Sequence, residues 1–206
     1  MTRQTVTRLY DTYEDAASTV HELEGAGIPA DDISLVASKV GAVHGQSHPS
    51  QSHPKTDAGV HAAEAGAGLG GVIGGGAGLL AGLGMLAIPG VGPVVAAGWL
   101  VATLAGLGAG AAAGGLLGGL AGAGLTTEHA EILAEGIRRG GTLVTARVSE
   151  ERAQEVERIM DRNRSVDIDA RRAAYASGGW SKFDESAPPY SGDEIRAVPS
   201  DRPGLL

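Results

Sequence analysis

Apolar residues recur at strand and helix spacing near the start of the chain. The run TVTRLY, from Thr5 to Tyr10, is rich in β-branched and aromatic residues and predicts a strand. Thr12 is a typical helix-capping residue, with Asp15 three positions later. The apolar positions that follow have the spacing of one helix face, at Tyr13, Ala16, Ala17, Val20 and Leu23. After Pro29, DISLVAS predicts a second strand, so residues 4–38 read as strand, helix, strand.

A second patterned region begins at Thr126. TTEHAEILAEGIRRGG predicts a helix with a hydroxyl cap, an acidic first turn and a basic last turn, and both charge biases suit the helix dipole. TLVTARV predicts a strand with Val144, Ala146 and Val148 on one side. Ser149 precedes the next helix, EERAQEVERIMDRN, whose inward stripe is Ala153, Val156, Ile159 and Met160. SVDIDA predicts a last short strand.

The order of these elements predicts an α+β fold. Residues 1–38 supply a βαβ half and residues 126–176 supply an αβαβ half, which together fit a small ferredoxin-like βαβ…βαβ sandwich with two helices on one sheet face. Between them, residues 39–64 are polar and aperiodic, with His, Ser and Pro, and predict a flexible linker. Residues 177–206 combine Gly, Ser, Pro and scattered charges, which predicts a disordered tail.

The insertion at residues 65–125 contains 22 of the 34 glycines. From Ala65 to Thr127 there are 63 residues without Asp, Glu, Lys, Arg or His. Two rows of glycines recur every four residues and are candidate helix-packing positions: Gly66, Gly70, Gly74, Gly78 and Gly82, then Gly106, Gly110, Gly114, Gly118 and Gly122. A strong turn signal divides the run, and its residues are Pro89, Gly90, Gly92 and Pro93.

These glycine rows predict an apolar helical hairpin. The arms at 65–88 and 94–125 have 24 and 32 residues, more than the roughly 20 that cross a bilayer. Glycine costs a solvated helix about 0.8–1.0 kcal/mol per residue, whereas in lipid the backbone must pair internally. Small residues every four positions then let helices pack closely. We predict that this glycine zipper associates with membrane lipid and with further copies of the chain. A soluble oligomer with the hairpins in its core is the alternative.

The charges around the hairpin predict its orientation. Arg138 and Arg139 follow the second arm and the turn carries no Lys or Arg, so the positive-inside rule predicts that both termini are cytoplasmic. The N-terminal residues lack the apolar core of a signal peptide, so none is predicted. The alternative places the soluble assembly in the cytoplasm.

Composition and motifs predict no catalytic chemistry. A net charge of −8 argues against a nucleic-acid binder, and the absence of cysteine excludes thiolate and Cys-based zinc chemistry. Gly66–Gly71 fits G-x-G-x-x-G but follows a linker instead of a strand. Four histidines match no rigid metal template: His44, His48, His53 and His61. We therefore expect no enzyme activity, cofactor, metal or small-molecule ligand. Ligand binding or catalysis by the α/β domain is a third possibility that no motif supports.

Three stretches resemble a bacterial general stress (heat-induced stress) protein family that carries a domain of unknown function. They are TVTRLYDTYEDAASTVHELEGAGIPADDISLVAS, the glycine-rich insert leading into LTTEHAEILAEGIRRGGTLVTARV, and VDIDARRAAYASGGWSKFD. Gly179-Trp180 in the third stretch is similar to the tail of alphaproteobacterial members. The likeness covers most of residues 4–184. It implies a non-enzymatic role in stress tolerance and brings no catalytic residues with it.

Overall fold

The computed structural model describes residues 3–39, 42, 84–88, 90–100, 115–188 and 190–197. Its strands are β1 (Arg3–Tyr10), β2 (Ile33–Ser38), β3 (Gly84–Ile88), β4 (Gly92–Gly98) and β5 (Thr142–Ser149). Its helices are α1 (Tyr13–Gly25), α2 (Gly115–Gly122), α3 (Thr127–Arg138), α4 (Glu150–Arg162), α5 (Ile168–Ser177) and α6 (Gly192–Ala197), with a single 3-10 turn at Ala30–Asp32. The described residues therefore form a mixed α+β fold.

The five strands form one antiparallel sheet in the order β1-β5-β2-β4-β3. β5 lies between β1 and β2 and runs antiparallel to both. β1 and β2 are therefore parallel, and α1 connects them across the intervening strand in a split βαβ unit. The hairpin of β3 and β4 extends the sheet on the far side of β2.

Helices cover both faces of this sheet. On the first face, α1 and α4 pack against one side of β1, β2 and β5. On the second face, α2 and α3 pack against the other side of the sheet and against the β3–β4 hairpin. All six residues of β2 are buried, as expected for a central strand that is covered on both faces.

Most of the predicted α/β elements are confirmed, since β1, β2, β5, α1, α3 and α4 form where the patterns place them. The Thr12 hydroxyl accepts a hydrogen bond of 3.1 Å from the Asp15 amide, as a cap should. Thr126 does the same for the His129 amide at 3.3 Å. Ser149, by contrast, makes no side-chain capping bond to α4.

The predicted last strand, SVDIDA, is wrong. A ferredoxin-like sandwich needs a fourth strand beside β1, and the chain does approach β1 there, where the Val166 amide donates to the Leu9 carbonyl at 2.8 Å. The Asp167 carboxylate, however, accepts hydrogen bonds from two backbone amides of the next turn and caps α5. The helix thus begins at Ile168. In the described residues the hairpin, not this segment, extends the split βαβ unit.

The predicted linker and tail also differ from expectation where the structure describes them. Ala42, in the predicted linker, is buried in the core of the first face. Residues 178–188 and 190–197, in the predicted disordered tail, follow the second face and end in α6. Phe183 is 7% exposed and belongs to the core of that face. Side-chain burial orders this segment in spite of its composition.

Tyr10 makes the fold sensitive to alkali. Its side chain is fully buried, its hydroxyl donates to the Met160 carbonyl at 2.9 Å, and burial raises its pKa to about 12. A raised pKa of the folded state stabilises the fold below pH 10, the unfolded value, and this stabilisation is lost as pH rises toward 12. We expect a loss of about 2 kcal/mol between pH 9 and pH 11.5. Urea unfolding at pH 9 and pH 11.5 measures it, and Tyr10→Phe, which cannot ionise, should lose markedly less.

Candidate functional site

The middle of the uncharged run is a β-hairpin. The prediction of two helices over 65–88 and 94–125 is wrong at 84–88 and 94–98, which form β3 and β4. The outer edge of β2 supplies backbone partners to β4, in pairs that run from Ser34 with Gly98 to Ser38 with Val94. β4 forms hydrogen bonds with the buried backbone amides and carbonyls along this edge of β2. A helix at residues 92–98 would leave those groups without partners.

The predicted hairpin turn is a turn between strands. Gly90 (φ 73°) and Gly92 (φ 88°) both adopt left-handed backbone conformations that favour glycine. Pro93 is the second residue of β4 and pairs with Ala87. Pro89 lies outside the described residues. The turn signal in the sequence is thus confirmed, while the elements that it connects are not those predicted.

The register of the hairpin brings the start of β3 close to the end of β4. Gly84, the first residue of β3, pairs with Ala96 near the end of β4. The chain therefore enters β3 and leaves β4 side by side, about one strand spacing apart. The segment 65–83 precedes Gly84 and the segment 101–114 follows Leu100, and both lie outside the described residues.

Two of the ten zipper glycines are described. Gly118 and Gly122 are exposed on α2, and a Cβ atom at either position would meet nothing within 4 Å. On the same helix, Leu116 and Leu120 are buried against the second face of the sheet. The glycine stripe of α2 thus points away from the sheet. The other eight lie outside the described residues: Gly66, Gly70, Gly74, Gly78, Gly82, Gly106, Gly110 and Gly114.

A buried ion-pair cluster lies at the end of α3. Glu135 is fully buried, and its carboxylate lies 2.7 Å from Nη2 of Arg138 and accepts a hydrogen bond of 2.6 Å from Nε of Arg139. The side chain of Arg138 is only 8% exposed. In the sequence-based prediction these two arginines are the flanking positive charges that orient a membrane hairpin; in the structure one shared carboxylate pairs with both. Spacing of three and four residues along a helix brings such side chains together.

Aromatic rings surround the two guanidinium groups. Arg138 lies over Phe183 and Tyr190, at 5.6 and 5.2 Å from their ring centroids. Arg139 lies over Tyr175 at 4.3 Å and over Tyr190 at 5.3 Å. Burial raises the pKa of Tyr175. These cation–π contacts bind the last part of the chain to α3, and sequence patterns had not identified them.

The last described part of the chain reaches the hairpin as well as α3. We call residues 178–188 and 190–195 the C-terminal strap. A Cβ atom on Gly90, in the hairpin turn, would lie 2.6 Å from Cα of Glu185 and 3.0 Å from the carbonyl oxygen of Asp184. At the far end of the strap, Ile195 packs against Gly140, just after α3. The strap thus spans from the turn of the hairpin to the end of α3.

The first face carries a shallow groove between α1 and α4, of about 1000 Å³, lined by Ala26, Ile159 and charged residues. One of these, Asp161, pairs with Arg8 at 2.7 Å, and this hydrogen bond lowers the pKa of the Asp161 carboxyl. The other charged side chains of the groove form ion pairs, except Arg158, which donates to the Gln154 carbonyl. Within the described residues, no three His, Cys, Asp or Glu side chains are grouped to hold a metal ion. The four linker histidines and Gly66–Gly71 lie outside those residues.

The comparisons with known proteins give no relatives. No protein-family model, no curated protein and no solved structure matches this chain. Among the helices that the structure describes, none is long and apolar enough to cross a bilayer.

Proposed function

We propose that this chain is a non-catalytic protein whose α/β domain presents two glycine-rich apolar segments to a membrane. In this proposal the segments pack against each other and against those of further copies through their glycine rows. Both chain termini remain on the cytoplasmic side. A role in the general stress response is part of the proposal, and its support is the resemblance of three sequence stretches to that family.

The register of the hairpin is the observation that carries this proposal. Because Gly84 pairs with Ala96, the chain enters β3 close to where it leaves β4. The segments 65–83 and 101–114 are the parts of the chain before Gly84 and after Leu100. Neither segment contains a charged residue. Two apolar segments held at one place can pack against each other with little further loss of entropy. Small residues every four positions favour such packing in lipid.

The exposed glycines of α2 give further support. Gly118 and Gly122 each cost a helix about 0.8–1.0 kcal/mol relative to alanine, and nothing in the described fold needs the space that a missing Cβ provides. A partner that packs closely on this stripe gives these glycines a role. We propose that the partner is a glycine row of the same chain or of a second copy.

A soluble oligomeric scaffold is the second candidate, and the outer edge of the sheet favours it. β3 is an edge strand without a charged residue, and Met85 within it is 68% exposed. Exposed edges of this kind pair readily with another chain. The opposite edge, β1, carries Arg3 and Arg8 and is approached by Val166. In this candidate, copies associate without lipid.

Fractionation distinguishes the two candidates. We expect the full chain, expressed in bacteria, to pellet with membranes and to resist extraction with alkaline carbonate. A large particle that stays in the supernatant without detergent would contradict the membrane proposal and favour the scaffold.

A glycine-to-leucine variant tests the packing stripe. Gly118→Leu with Gly122→Leu should weaken association between copies at least tenfold. It should also stabilise the fold of the isolated chain by about 1–2 kcal/mol, because leucine is the better helix former. Sedimentation velocity in detergent and chemical unfolding measure the two effects. Ala121→Leu, at an exposed position of the same helix but outside the glycine row, is the matched control. Unchanged association in the double variant would contradict the packing role of this stripe.

A further inference from the structure

The residues of the hairpin are compatible with two different environments. In the described fold, β4 pairs with β2, and Ile88, Val91 and Val94 are buried in the second face. The same residues lie inside a 63-residue run without ionisable side chains, which has the composition of a membrane hairpin. A bilayer does not accept an open strand edge, so entry into lipid requires these residues to leave the sheet and form helix.

The C-terminal strap blocks that change at the turn. The backbone of Asp184 and Glu185 lies directly against Gly90, so close that a single added Cβ atom would overlap with it. The strap thus holds the backbone of two acidic residues beside the turn, which would have to enter the bilayer first. Ionised side chains are strongly disfavoured in the hydrocarbon region. The turn can therefore insert only after the strap has moved away from it.

Phe183 is the side chain that holds the strap in place next to this turn. It is 7% exposed and belongs to the same core as Ile88, Val91 and Leu116. Its ring also lies under the guanidinium group of Arg138. This anchor can be released without unfolding the first face, because α1 and α4 pack there on a different cluster of side chains.

We propose that the C-terminal strap is a lock that keeps the β3–β4 hairpin in the sheet, and that release of the strap frees the hairpin to bind a lipid bilayer. This inference rests on the proposed membrane function and adds its regulation. The equilibrium lies between a sheet-bound hairpin and a lipid-bound helical one, and the strap contacts only the first state.

Vesicle flotation tests the lock. Full-length protein and the variant Phe183→Ala are mixed with vesicles of phosphatidylethanolamine and phosphatidylglycerol and separated on a density gradient. Loss of the Phe183 anchor should raise the apparent partition coefficient at least tenfold. Helix content measured by far-ultraviolet circular dichroism should rise when vesicles are added. Phe183→Leu, which keeps an apolar anchor, should give an intermediate increase.

Leu23→Ala is the control for general destabilisation, because Leu23 is buried in the core of the first face, whereas Phe183 belongs to the core of the second. If this variant binds vesicles as well as Phe183→Ala does, binding follows from unfolding and the lock is contradicted. Equal binding by the wild type and Phe183→Ala also contradicts the lock, while the membrane function stands. If no variant binds vesicles, both the membrane function and the lock are overturned.

Discussion

Gly98→Ala is expected to lower the free energy of unfolding by about 4 kcal/mol. Gly98 ends β4 with φ 95°, a conformation that costs a residue with a side chain about 1–3 kcal/mol. A Cβ atom there would also lie against the Ile33 carbonyl and 2.7 Å from Cα of Ser34. Both are backbone atoms of β2, so relief requires the strands to separate, at a further cost of about 1–3 kcal/mol. Chemical denaturation at neutral pH measures the loss.

Gly27→Ala separates the cost of the left-handed backbone conformation from the cost of the steric contact with β2. Gly27 follows α1 with φ 80°, but a Cβ atom there meets nothing within 4 Å. This variant carries the backbone strain alone, and we expect a loss of about 1 kcal/mol. Hydrogen exchange should show faster exchange of the β2 amides only in Gly98→Ala. Equal losses in the two variants would show that close contact between β4 and β2 does not hold the hairpin.

The elements that sequence patterns predicted well are those whose signals are local. Val144, Ala146 and Val148 alternate along β5, and all three are buried on the face where α1 and α4 pack. Val156 and Met160 of α4 follow the helical period and are fully buried on the same face. In each case a few consecutive residues carry both the hydrophobic period and the solvent-facing polar side chains. The local sequence is therefore enough to predict the element without knowledge of its tertiary contacts.

The hairpin could not be predicted in this way, because its state depends on a distant strand. An apolar run without charges fits a buried strand as well as a helix in lipid. β4 pairs with β2 across a separation of about sixty residues, for example at Val36 and Ala96. Gly98 carries a partial signal, since glycine is the residue that permits this close approach of backbones.

The C-terminal strap was mispredicted because its composition resembles that of disordered chains. Its aromatic residues are few and separated by Gly, Ser and Pro, as in Trp180, Phe183 and Tyr190. Phe183 and Tyr190 contact a residue remote in sequence, Arg138, whose guanidinium group lies over both rings. The ring of Trp180 contacts Tyr175. The spacing of Glu135, Arg138 and Arg139 is visible in the sequence, but only the fold shows that Glu135 and Arg138 are buried and that Arg139 is partly buried.

Glu135→Gln is expected to destabilise the fold by about 3–5 kcal/mol, because it leaves two arginines near the core without a counter-charge. Glu135 is fully buried, Arg138 is almost so, and Arg139 is partly buried. The amide keeps the size of the carboxylate, so the loss measures charge rather than packing. Chemical unfolding at neutral pH gives the value. Glu128→Gln on the same helix breaks an exposed pair with Arg172 and should cost less than about 1 kcal/mol.

A triple variant distinguishes the free-energy cost of leaving buried charges unpaired from the loss of the contacts within the ion-pair cluster. Glu135→Leu with Arg138→Met and Arg139→Met removes all three charges and retains apolar volume between the aromatic rings. Buried ion pairs that are replaced as a unit by apolar residues often leave stability unchanged or raised. We therefore expect the triple variant to recover most of the stability that Glu135→Gln loses. If it is as unstable as the single variant, then the cation–π contacts of Arg138 and Arg139, and not their neutralisation by Glu135, hold the C-terminal strap on α3.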